Sequence, residues 1–178
     1  LVQTETNEEE IDMVTNELII DSFERIKEVL HTAAEGLGEE DLTFRPSVNA
    51  NSIGWLAWHV ARIQDDHIAD ASGKPQVWLT EWVKRFNLPF DEYDTGYGHV
   101  PSDVAAVKAS GELFLGYYDA VHAATIAYVS KLESQDYKRV VDKHWDPPVT
   151  LAVRLVSVIA DNLQHVGQAA YVRGILGR

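Results

Sequence analysis

Asp161-Asn-Leu-Gln-His165-Val-Gly-Gln168 sets a carboxylate and an imidazole four residues apart. On a helix that spacing puts both side chains on one face, about one turn apart. Steps of three and four through this region read Leu151, Leu155, Val158, Asp161, His165, Ala169, Val172 and Leu176. Only Asp161 and His165 interrupt an apolar stripe. A carboxylate on such a face loses hydration and must be compensated. Two compensations fit the spacing. The two residues can form a buried hydrogen-bonded pair, or together they can ligate one divalent ion through an imidazole nitrogen and a carboxylate oxygen.

An ion between helices needs a ligand from a facing helix. "NSIGWLAWHVARIQDDH", residues 51–67, offers His59 between Trp55 and Trp58, on the edge stripe Trp55, His59, Arg62, Asp66. Three protein ligands leave open positions for water or substrate, as at a catalytic site. The other histidines rank lower. His67 follows two aspartates and reads as solvated, and His31 and His122 sit one position off their apolar stripes. His99 and His144 fall in loops that can approach a site mouth. The five tryptophans read as core or pocket lining. Arg62 can bind a substrate carboxylate or pair with Asp66 at i+4, and Gln168 reads as a hydrogen bonder in helix packing.

The elements that must position these residues are helical. With 178 residues and 46% hydrophobic content, the chain is long and apolar enough for one domain with a real core. We expect a loose lead-in over residues 1–14 and a single domain over 15–178. The first helix is expected from Thr15 to Glu35, stopped by Gly36 and Gly38. The second starts at Asn51 or Ser52 and ends near Ala71. A short helix is expected over 76–86, followed by an ordered loop, "NLPFDEYDTGYGHVPS". The third helix reads as one run from a Ser102 cap to Leu132. "HWDPPVT" reads as a turn, and Thr150 as the cap of the fourth helix. No stretch alternates convincingly as a strand. These patterns imply an all-α four-helix bundle with a long connection between its second and third helices.

Composition excludes several chemistries. There is no cysteine, so disulfides, zinc–thiolate sites and cysteine nucleophiles are ruled out within this sequence. Any thiol chemistry must bring its sulfur with the substrate. A net charge of −13 opposes nucleic-acid binding. No apolar run reaches a membrane span. The opening LVQTETNEEE lacks a signal-peptide pattern, so a cytoplasmic location is expected.

"NSIGWLAWHVARIQDDH", "YDTGYGHVPSDV" and "DNLQHVGQAAYVRGILG" resemble the DinB-like superfamily, particularly its DUF664 branch, over residues 15 to 177. The family is related to mycothiol-dependent maleylpyruvate isomerases. The resemblance implies an up-down-down-up bundle, often dimeric, with a divalent metal, commonly zinc or nickel. It places His59 at the histidine of the second helix and His165 at the histidine before the Gly-Gln pair. Asp161 stands where many members carry histidine, and where the maleylpyruvate isomerase relatives carry glutamate. The expected metal ligands are therefore His59, Asp161 and His165. The expected activity is transfer of a low-molecular-weight thiol to an electrophilic small molecule, or isomerisation of a thiol adduct. Two alternatives stand beside it. One is metal-assisted hydrolysis with Asp66 or His99 as base. The other is a non-catalytic metal-binding dimer whose site is closed by His99 or His67.

Overall fold

A computed structural model describes residues 2–178 of the protein, with side chains from residue 13 onward. Four long helices build it: α1 (Val2–Ala34), α3 (Ile53–Ser72), α6 (Gly111–Val129) and α7 (Leu151–Leu176). Short helices α2 (Glu39–Thr43), α4 (Val83–Phe86) and α5 (Pro101–Ala106) lie in the connections.

Contacts between the long helices fix their directions. His31 and Glu24 of α1 meet Asp119 and His122 of α6, so these two run antiparallel. Asp65 and Ala71 of α3 meet Tyr117 and Tyr128 of α6, so these run parallel. Gln64 and His67 of α3 meet Asn162 and Arg154 of α7, an antiparallel pair. Arg173, late in α7, bonds the Ala33 and Glu35 carbonyls at the end of α1. The bundle is therefore up-down-down-up, as expected. Phe23 and Leu30 of α1, Trp58 of α3, Tyr117 of α6, and Leu155 and Val158 of α7 fill its centre.

Several boundaries follow the sequence signals. The Ser52 side chain accepts the Trp55 N–H, Thr150 accepts the Val153 N–H, and Gly36 leaves α1 at φ +75°. Other expectations fail. α1 begins at Val2, upstream of the expected Thr15. Most of the expected lead-in has its side chains outside those described.

The third long helix is not one run. α5 ends at Ala106, Val107 turns extended, and α6 starts afresh with Ser110 accepting the Leu113 N–H. Val104, Val107 and Phe114 are all buried, so the apolar spacing runs through the break without marking it. A short antiparallel hairpin, β1 (Val140–Asp142) and β2 (Val149–Thr150), stands where only a turn was expected. Two strands of three and two residues are too short to show alternation.

The 38-residue span between α3 and α6 is ordered by one buried carboxylate. Asp65 accepts the Val77 and Trp78 N–H groups at 2.8 and 2.7 Å, and the Tyr117 hydroxyl at 2.8 Å. Among the described residues no helix is long and apolar enough to cross a membrane.

Candidate metal centre

α3 and α7 bring His59, Asp161 and His165 together. One potential ligand atom from each lies within 4.8 Å of the others. His59 Nε2 is 3.9 Å from Asp161 Oδ2, and His165 Nε2 is 3.6 Å from Asp161 Oδ1. Donors about 2.0–2.2 Å from one ion can stand up to about 4.2 Å apart, so both separations suit a shared cation. The trio lies where α3 meets α7, with one side towards solvent. His59 is buried, whereas Asp161 and His165 are partly exposed.

Each imidazole is oriented by a bond on its far nitrogen. His59 Nδ1 donates to the Thr95 carbonyl at 2.5 Å. His165 Nδ1 donates to Gln168 Oε1 at 3.1 Å. In the neutral rings both Nε2 atoms are thereby left as acceptors beside Asp161, the arrangement that outer hydrogen bonds impose on metal-ligating histidines. Asp161 Oδ2 is buried and has no hydrogen-bond partner. A buried carboxylate oxygen without a partner is costly, and a cation held there would compensate it. The donor set therefore fits a divalent metal.

The loop over residues 88–100 positions His59. Trp55 Nε1 donates to His99 Nδ1 at 3.0 Å, and His99 Nε2 donates to Asp94 Oδ2 at 3.1 Å. Arg62 Nε donates to the Asp94 carbonyl at 3.0 Å. Gly96 takes φ +90°, and a Cβ there would stand 2.9–3.1 Å from Trp58, His59 and Trp55. Only glycine allows both that conformation and that approach. Trp55 stacks on the His59 ring at 4.6 Å and meets His165 edge-on at 6.3 Å.

The site's charges are coupled. Burial pushes His59 below its usual pKa, with the Thr95 carbonyl opposing. The Asp161 carboxylate raises His165, while burial works against it. His165 in turn holds Asp161 low, against burial.

The remaining sequence expectations sort clearly. His99 has both nitrogens engaged and does not join the trio. His67 is not solvated. It is half-buried, 3.4 Å from Arg154 Nη1 and 3.8 Å from Asp66, and burial lowers its pKa. His31 and His122 pair with Asp119 and Glu24. His144 caps Asp142 on the surface. Trp145, expected in the core or a pocket, is 67% exposed. Arg62 is fully buried and lies 3.6 Å from Asp65 rather than pairing with Asp66, so no substrate reaches it. Gln168 bonds His165, three residues earlier on α7, instead of packing helices. Thr95 and Gly96 went unnoticed in the sequence. The Gly-Tyr-Gly signal marked a turn there but not its approach to His59.

The family model described as Mycothiol-S-transferase matches residues 18–177. The chain belongs to the Mycothiol-S-transferase family. A crystal structure titled as the conserved protein of a locus from Enterococcus faecalis superposes with a TM-score of 0.84 at 31% identity. It covers 91% of this chain and 97% of its own. No curated protein matches significantly. The match and the bundle topology also place the chain in the DinB-like superfamily. Membership implies thiol S-transferase-type activity, with a thiol and a small molecule as reactants. With no cysteine, these 178 residues supply no thiol of their own.

Proposed function

We propose that the protein is a metal-dependent S-transferase. In this reading His59, Asp161 and His165 hold one divalent ion, zinc or nickel. A low-molecular-weight thiol is transferred there to an electrophilic small molecule, or a thiol adduct is isomerised. The observation that carries the reading is the pair of oriented Nε2 atoms on either oxygen of the Asp161 carboxylate, whose buried Oδ2 has no hydrogen bond. A divalent cation held by these residues lowers the pKa of a thiol beside it, so that thiolate is available at neutral pH.

The protein's own groups have three tasks. Thr95 and Gln168 keep the imidazoles in the ligating tautomer. Trp55 shields one side of the trio, stacking on His59. The partial exposure of Asp161 and His165 leaves the open side for reactants.

The alternatives have less support. Hydrolysis needs a general base, yet Asp66 accepts from Gln76 and His99 is engaged at both nitrogens. A closed structural site needs a fourth ligand, and among the described residues the cluster contains three.

Elemental analysis of the purified protein beside His165→Ala and Asp161→Ala tests the site. We expect about one equivalent of zinc or nickel in the parent and loss in both variants. A panel of thiols and electrophiles then tests the reaction. A metal-loaded protein with no thiol-dependent turnover across that panel would reject the transferase reading while leaving the site intact.

A further inference from the structure

Beyond the trio, the seam between α3 and α7 opens into a cavity of about 360 Å³, the size of a small-molecule site. Leu56 lies one turn before His59 on α3, and Gln168 one turn after His165 on α7. Because the two helices are antiparallel, both residues reach the same end of the seam. Leu56 and Val172 are buried and form the inner wall of the cavity. Asn49, Asn51, Gln168 and Tyr171 line its more open side.

The connector between Pro46 and Asn51 closes the cavity, and it is tied down without a ligand. Arg45 donates to the Ala50 carbonyl at 2.6 Å, to the Pro101 carbonyl at 2.9 Å and to the Val48 carbonyl. The Ala50 N–H donates to the Ser47 carbonyl, and Ser52 caps α3 next along the chain. A wall that is already ordered adds little to the cost of binding.

Two features say what fits. No lining residue is charged, in a chain of net charge −13. A ligand carboxylate or ammonium would find no partner there. Hydrogen-bonding capacity is nevertheless idle. The side chains of Asn49 and Asn51 bond no described residue, and Gln168 uses only Oε1, on His165.

We propose that this cavity binds the electrophile, and that the electrophile is uncharged. Its flat apolar body lies on Leu56 and Val172, and a carbonyl-type oxygen accepts from the idle amide N–H groups. Gln168 then joins the ligand to His165, accepting from the imidazole and donating to the ligand. The thiol fits less well. Low-molecular-weight thiols carry charged or polyhydroxyl groups, which an apolar wall leaves unpaired. Naming the occupant the electrophile rests on the S-transferase reading above; the preference for uncharged ligands rests on the cavity alone.

Nuclear magnetic resonance titration of the isotope-labelled full chain tests the preference without turnover. Acetophenone should shift the side-chain amide signals of Asn51 and Gln168 saturably. Ethylbenzene, which lacks the oxygen, should bind about fivefold more weakly. Benzoate should bind at least about tenfold more weakly, and glucose should cause no shift. Ala50→Phe fills the cavity and should abolish the acetophenone shifts with metal content unchanged. Asn51→Leu removes a side chain with no partner to lose, so it should keep the fold and bring acetophenone down to the level of ethylbenzene. Phenyl vinyl ketone is the electrophilic counterpart. Thiol addition joins sulfur to its terminal vinyl carbon and places the thiol proton on the carbon beside the carbonyl. Ala50→Phe should raise KM for this ketone by about tenfold. Acetophenone shifts in a protein without thiol-dependent turnover would keep the uncharged-ligand cavity and reject the S-transferase reading. No saturable acetophenone shift, or tighter binding of benzoate or glucose, overturns the cavity proposal even where thiol transfer to other electrophiles is found.

Discussion

Among the polar clusters that α3 shares with its neighbours, two differ sharply in what remains unpaired. Towards α6, Arg62, Asp65, Gln76 and Tyr117 form a closed network. Asp65 accepts three hydrogen bonds, and Arg62 donates to Asp94, Gln76 and Tyr117. The guanidinium also lies 5.1 Å from the Trp78 ring centroid, offsetting the one nitrogen, Nη2, that has no hydrogen bond. Towards α7, the outer nitrogens of His59 and His165 are fixed by hydrogen bonds, while their inner nitrogens only approach Asp161, at 3.9 and 3.6 Å, and its Oδ2 has no hydrogen bond. A polar cluster whose groups satisfy one another holds a fold together. One whose groups converge with valences unused is prepared for something from outside.

The largest expected effect breaks the closed side. Arg62→Met leaves Asp65 buried without its cation, and removing one member of a buried pair destabilises by about 3–5 kcal/mol. Chemical denaturation measures it. Asp161→Asn on the open side should change metal-free stability by less than about 1 kcal/mol, since the side chain is partly exposed, its Oδ2 has no hydrogen bond to lose and its Oδ1 only approaches His165 at 3.6 Å. Equal losses from the two substitutions would erase the distinction between the clusters.

Gly96→Ala tests how the two sides are joined. The loop that Arg62 anchors through Asp94 also supplies the Thr95 carbonyl to His59. A methyl group at φ +90°, against Trp58 and His59, should cost about 1–3 kcal/mol. It should also weaken metal binding by tilting the His59 ring. Gln168→Ala, on an exposed side chain, should leave the melting temperature unchanged. Losing an outer hydrogen bond of this kind lowers metal affinity by roughly 10–100-fold. Competition with a chromophoric chelator reads both variants.

The sequence revealed the bundle because sustained three-four spacing needs only local information. It also revealed Asp161 and His165, because polar residues on an apolar stripe are conspicuous. His59 stood out less, and its orientation not at all, since Thr95 lies 36 residues away across an irregular loop. The α5–α6 break was hidden because buried apolar residues, Val104, Val107 and Phe114, run through the helix-to-extended change. Arg62 was misassigned to Asp66 because i+4 spacing says nothing of the tertiary partners that draw it to Asp65 and Asp94.

The smallest expected effect is a pH profile, and it separates the two histidines of the open cluster. His165 has a folded pKa raised above 6.5 by Asp161. Its stabilisation is complete below the unfolded value and is lost as pH rises through the folded one. His59 has a folded pKa lowered by burial. Below 6.5 the unfolded chain takes up that proton first, so stability falls as pH drops towards the folded value. Metal-free protein should therefore be most stable near the ordinary histidine pKa and decline on both sides. Asp161→Asn should flatten the alkaline decline, because the carboxylate that raises His165 is gone, and should leave the acid decline in place. Metal affinity should rise with pH over the alkaline window, since the ion competes with the proton on His165. Thermal melts of metal-free protein across that range, beside metal titrations at the same pH values, compare the opposing slopes. If stability and affinity rose together with pH there, Asp161 would not be the group that holds the His165 proton.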